Sequence, residues 1–156
     1  MQTSVLAVFL CGLSVVFAQS GKPPDAKPTI VFVCEHGSAK SIIAAAEFER
    51  MAKEKGLELN ILARGTNPDH EIPKPVRDGL KADGFDVGAP KPIKVSRKDL
   101  KDAAKIVSFG PDLKPWLDDG TAVLDWSSTP SVNENYRTAY DYIRSQLEIL
   151  LRDFKK

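Results

Sequence analysis

One stretch of this 156-residue chain has the residue types and spacing of a nucleophilic site: Cys34-Glu35-His36-Gly37-Ser38-Ala39-Lys40-Ser41. A cysteine attacks as its thiolate, and what favours the thiolate is positive charge nearby. Cys34 closes an apolar run, residues 30–34 (IVFVC), and the turn behind it is short and rich in small residues. A segment with helical spacing follows directly. The backbone N–H groups of Glu35, His36, Gly37, Ser38, Ala39 and Lys40 can therefore converge on one anion, aided by the dipole of the helix. The same field favours the Cys34 thiolate, and the Lys40 ammonium and Ser41 hydroxyl add to it. Such a loop can bind an oxyanion and attack its central atom. Read alone, a cysteine ending a strand is equally a small apolar core residue, so the elements around it have to decide.

Residues 30–34 are β-branched and aromatic, as expected of a strand buried on both faces. A helix is predicted over 39–55, with Ile42, Ala45, Ala46 and Met51 inward and Gly56 at its end. Residues 57–63 (LELNILA) read as a second strand. Pro73 opens a helix to Asp83, with Val76 and Leu80 inward and Gly84 as terminator. Ser96-x-x-Asp99 caps a short helix, and residues 104–109 and 122–126 are further strands. Ser131 and Glu134 have capping-box spacing. Beyond them Tyr136, Tyr140, Ile143, Leu147, Leu150 and Phe154 recur at three and four residues. Alternating strands and helices predict an α/β fold of three layers, a parallel sheet between helices. In such sheets ligands collect beyond the carboxyl ends of the strands, where residues 35–39 fall.

The length suits one domain. A net charge of +1 with 28% charged residues offers neither the basic excess of a nucleic-acid binder nor an acidic tail. Residues 5–18 (VLAVFLCGLSVVFA) are uncharged and end in Val16-Phe17-Ala18, a signal-peptide pattern too short to span a bilayer comfortably, although no Lys or Arg precedes it. The expected organisation is a signal peptide at 1–18, a Pro-rich linker at 19–28 and one domain at 29–156. The mature protein would then be exported, periplasmic or secreted, with no stable membrane span. Cys11 leaves with the signal, so Cys34 has no disulfide partner within the mature chain. His36, His70 and one cysteine make no metal set, and the sequence implies no cofactor and fixes no oligomeric state.

The loop resembles the C-x5-R-S phosphate loop of the low-molecular-weight protein tyrosine phosphatases and the arsenate reductases related to them. Val31-Phe32-Val33-Cys34 is similar to the family's opening strand, and Ala63-Arg64-Gly65-Thr66 resembles its S-A-G-T. Gly84-Phe85-Asp86-Val87 resembles the segment after the second helix, residues 102–109 the strand that follows, and residues 125–130 the acid loop before the last helix. The resemblance runs through residues 29–154 in order. It implies a four-stranded parallel sheet of order 2-1-3-4 flanked by helices. It also implies hydrolysis of phosphate monoesters, with phosphotyrosine the usual class, through a phosphocysteine on Cys34.

Three positions depart from the family pattern. Gly37 replaces an asparagine where the backbone needs a left-handed turn, which glycine supplies without strain. Lys40 replaces an arginine, keeping the charge but not the planar fork that grips two oxygens. Thr129 stands before Pro130 where the family has the general-acid aspartate, and a hydroxyl cannot donate at neutral pH as a carboxylic acid does. Asp125 is the nearby substitute, or else a strand-end residue with a solvated carboxylate. Arg64 faces either the site or solvent. The arsenate-reductase branch favours Trp after the acid-loop Asp, as in Asp125-Trp126, but its thioredoxin-coupled relay needs further cysteines. Two alternatives therefore stand beside the phosphatase: an arsenate reductase using an external thiol, and an oxyanion-binding module without turnover.

Overall fold

The computed structural model describes residues 26–154 except 87 and 89. The expected signal peptide, and the linker as far as residue 25, lie outside the described residues.

Four strands, β1 (Thr29–Cys34), β2 (Asn60–Gly65), β3 (Ala103–Ser108) and β4 (Leu124–Asp125), form one parallel sheet in the order β2-β1-β3-β4. Helices α1 (Lys40–Glu54), α2 (Lys74–Ala82), α3 (Arg97–Lys101) and α4 (Tyr136–Leu151) complete the layers. Central β1 is buried on both faces, as its unbroken apolar run requires. Ile30 and Phe32 join one core with Phe48, Leu80, Ile143 and Leu147 of α1, α2 and α4. Val31 and Val33 join a second core with Val95, Leu100, Ile106 and Leu113. The doubly covered α/β architecture is the one the alternation predicts.

Several boundaries move, each for a physical reason. The strand expected over 57–63 starts at Asn60, because Leu57 and Leu59 pack against the main core before the chain joins the sheet. The capping box at Ser131 and Glu134 does not start the last helix. Residues 132–134 form a turn, and Asn135 is the cap, its side chain accepting from the Thr138 N–H at 2.9 Å. The last helix gives way at Arg152 to a 3-10 turn that carries Phe154. Helix α1 is also rotated from the expected face: Ser41, Ile43, Ala44, Glu47, Phe48 and Ala52 are buried, whereas Ile42, Ala45, Ala46 and Met51 are half-buried. Polar Ser41 and Glu47 on the inner face hid this rotation from a hydrophobic count. Glu47 is satisfied there by the Tyr140 hydroxyl at 2.8 Å and by Arg50, which locks α1 to α4. Burial and the Glu47 carboxylate push the Tyr140 phenol up to about 12, so it remains a donor.

The loop after β1 lies directly on the end of β2. Gly37 has φ of +61°, and a Cβ there would sit 2.8 Å from the Gly65 nitrogen. A Cβ on Gly65 would sit 2.7 Å from the Gly37 nitrogen. Neither neighbour can yield, since both are backbone. Gly65→Ala should therefore lower the unfolding free energy by about 1–3 kcal/mol and displace the loop. Denaturant unfolding and amide shifts of residues 35–40 will check it; unchanged shifts would contradict it.

Candidate active site

Cys34 is the last residue of β1 and 7% exposed. Its Sγ accepts the Gly37 N–H at 3.1 Å and lies 3.1 Å from the Ser41 hydroxyl. The rotation of α1 that buries Ser41 thus serves the thiol. The first intrahelical bond of α1 is Ile43 N–H to the Ala39 carbonyl, 3.0 Å, so the N–H groups of the first turn are left for another acceptor. Ala39 makes no side-chain cap, and the first turn holds no acidic residue. The positive end of the helix is left without a side-chain anion of its own, beside the thiol.

An open cavity of about 390 Å³ sits over Cys34. Glu35, His36, Ser38, Ala39 and Lys40 line it from the loop, with Asp69, Pro73, Phe109, Thr129, Ser131, Val132 and Asn133 around them. The structure thus gathers Cys34, Lys40 and the loop residues in one place, with Gly37 and Ser41 directly behind the thiol.

Lys40 does not point freely into the cavity. Its Nζ donates to the Thr129 carbonyl at 2.6 Å, bridging the loop and the segment before α4. Burial holds the Lys40 ammonium below the ordinary lysine range, and the attraction of Cys34 opposes that shift. The segment it reaches is well anchored. Trp126 packs edge-on against Phe109 and tilted against Phe32, at 5.7 and 6.1 Å between ring centres. The Thr129 N–H and hydroxyl both donate to the Trp126 carbonyl, which turns the Thr129 carbonyl toward Lys40.

Asp125 is not in this cavity. It is exposed, lines a separate pocket with Ser108 and Asp112, and accepts the Ser127 N–H at 2.8 Å. That bond and the Ser127 side chain hold its carboxyl below the usual carboxylate range. Asp125 is therefore ionised at neutral pH, and the strand-end alternative describes it. Arg64 also faces elsewhere, pairing with Asp99 at 3.0 Å. His70 is exposed and outside the cavity lining.

Sequence reading missed Asp69. Its Oδ2 accepts from the buried Ser38 hydroxyl at 2.5 Å, and its Oδ1 lies 3.4 Å from His36 Nδ1. The signal was the strand register. Cys34 pairs with Gly65, and the pairing continues past both strands: Thr66, Asn67 and Asp69 donate their N–H groups to the carbonyls of Cys34, Glu35 and His36. Residues 66–69 are thereby laid along the loop. Among the described residues no cluster of three or more His, Cys, Asp or Glu could hold a metal ion, and no helix is long and apolar enough to cross a membrane.

The fold thus carries a buried cysteine at the end of a central strand of a parallel α/β sheet, wrapped by the turn into the next helix. Residues 29–114, more than half of the chain, match the sequence model of the low molecular weight phosphotyrosine protein phosphatases, and the chain belongs to that family. Solved structures agree in fold. YfkJ from Bacillus subtilis superposes with a TM-score of 0.72 at 19% identity, over 83% of this chain and 96% of that one. SP-PTP, a low molecular weight protein tyrosine phosphatase from Streptococcus pyogenes, gives 0.71 at 13% identity, over 83% and 94%. A thioredoxin-dependent arsenate reductase from Corynebacterium glutamicum gives 0.69 at 21% identity, over 83% of this chain and 63% of that one. Comparison with curated protein sequences finds no match.

The lowered Lys40 pKa has a directional consequence. The ammonium is present below that pKa and lost as pH rises through it, so oxyanion affinity should fall at a pH below the ordinary lysine value of 10.5. A guanidinium stays charged throughout that range. Lys40→Arg should keep its vanadate affinity where the parent protein loses it, measured by competition titration across alkaline pH.

Proposed function

We propose that this chain is a cysteine-dependent phosphatase that hydrolyses phosphate monoesters, of the phosphotyrosine class, through a phosphocysteine on Cys34. The observation that carries the reading is the Cys34 thiol held between the Gly37 N–H and the Ser41 hydroxyl at the uncapped start of α1. In this reading the Cys34 thiolate attacks phosphorus, and the N–H groups of residues 35–40, apart from that of Gly37 on the sulfur, hold the non-bridging oxygens. Ser41 positions the thiolate. Lys40 carries three N–H donors, so its bond to Thr129 leaves two for the oxyanion. Water then breaks the S–P bond and releases phosphate. We place this activity outside the cytoplasm, on the signal pattern at residues 1–18 alone.

A second reading, oxyanion binding with little turnover, is favoured by one observation: Asp125 lies outside the cavity and is held ionised. Isothermal titration with phosphate, alongside p-nitrophenol release from its phosphate ester, separates the two. Micromolar binding without hydrolysis would replace the phosphatase reading with the second. Under the first, Cys34→Ser abolishes release, whereas Asp125→Asn leaves it within about a factor of three, as a surface change does. Release that survives in Cys34→Ser would remove the nucleophile assignment.

A further inference from the structure

Resting on the phosphatase reading, we propose that His36, oriented by Asp69, is the proton donor to the leaving group and the later base toward water. The family's place for that acid is Thr129, whose hydroxyl is spent on the Trp126 carbonyl at 2.8 Å. On another wall of the same cavity stands the one imidazole among the lining residues. His36 comes from the loop, and Asp69 from the segment after β2 that is hydrogen-bonded along it. Asp69 Oδ1 faces His36 Nδ1 at 3.4 Å, while Asp69 Oδ2 is fixed by Ser38, whose residue is 1% exposed. A carboxylate held by a buried hydroxyl is a fixed reference for the ring. It lies in ion-pair contact on the Nδ1 side of the ring and leaves Nε2 for other work.

Nε2 lies 3.9 Å from the nearest Glu35 carboxylate oxygen, beyond hydrogen-bond distance. The charged groups around the ring are therefore Glu35 on its own loop and Asp69 across from it, with Cys34 and Lys40 deeper in the cavity. The segment before α4 contributes Thr129, Ser131, Val132 and Asn133, none of them titratable. An imidazolium pairs with the Asp69 carboxylate on its Nδ1 side and keeps the Nε2 proton for a substrate oxygen.

The chemistry balances without a co-reactant other than water. The Cys34 thiolate forms the S–P bond as the bridging P–O bond breaks. The bond's electron pair leaves on the departing oxygen, which takes the Nε2 proton and departs as an alcohol or phenol. Neutral Nε2 then removes a proton from the water attacking phosphorus. The S–P bond breaks, phosphate is released, and thiolate and imidazolium are restored.

A proton donor matters most when the leaving group is poor, and this separates the proposal from a structural role. The kcat/KM for phenyl phosphate and for p-nitrophenyl phosphate is measured for the parent protein, His36→Asn, His36→Gln, His36→Ala and Asp69→Asn, because kcat/KM reports the step that expels the leaving group and not the later attack of water. His36→Asn and His36→Gln should slow phenyl phosphate by about a hundredfold or more and p-nitrophenyl phosphate much less. Asp69→Asn should show the same pattern in weaker form. Imidazole added to His36→Ala should restore phenyl phosphate turnover selectively. An equal loss of kcat/KM for both esters, or a loss for neither, would overturn the proposal while leaving the nucleophile in place. Hydrolysis of neither ester by the parent protein would remove the phosphatase reading, and this proposal with it.

Discussion

The site depends on one backbone contact, the crossing of Gly37 over Gly65. Parallel pairing of β1 and β2 runs to the last residue of each strand, and three further N–H donors carry it beyond them. A chain that pairs this far cannot also turn sharply into a helix unless something gives. Here the missing side chains give: a Cβ on either glycine would press against backbone of the other. The left-handed turn at Gly37 then brings its N–H back to the Cys34 sulfur just ahead of α1. The placing of Cys34, of the loop that follows it and of Asp69 all follow from this contact. The loop belongs to the sheet as much as to the helix.

Charge explains the rest of the cavity. A helix N-terminus with no cap and no acidic residue is an unmet positive end, and a lysine in the first turn makes it more positive still. That combination is unfavourable in an empty protein unless a negative group approaches. The Thr129 carbonyl supplies part of this, at 2.6 Å from Lys40. The Trp126–Thr129 segment is thus coupled to the loop across the cavity. Its aromatic anchor on Phe32 and Phe109 ties that coupling to the same core that holds β1. An arriving oxyanion would meet an ammonium already positioned by its carbonyl partner, with donors to spare.

Much of this was legible in the sequence. The buried central strand and the loop with its glycine come from local signals, an apolar run, a short small-residue turn and helical spacing, and the sheet order from a resemblance that extends along the domain. What escaped reading was set by pairs distant in sequence. Asp69 reaches the site through strand register, which no single segment encodes. Ser41 and Glu47 are polar residues turned inward by partners at positions 34 and 140, so the face of α1 could not be found by counting apolar residues. The Ser131 pattern misled because a capping box is a short motif, and a turn holding it can sit just ahead of the residue that actually caps. Asp125 was the nearest carboxylate in sequence, but its own turn holds it outside the cavity.

The two losses in the family pattern, arginine to Lys40 and aspartate to Thr129, are related through one bond. The Lys40 ammonium meets the backbone carbonyl of residue 129 at 2.6 Å, so the main chain there already holds the cation and no carboxylate is needed for it. The Thr129 side chain is committed elsewhere, its hydroxyl donating to the Trp126 carbonyl at 2.8 Å. A lysine at 40 and a non-acid at 129 are then mutually consistent, and the proton transfer proposed above falls to another wall of the cavity. His36 and Asp69 occupy such a wall, held there by the same register that sets Gly65 against Gly37.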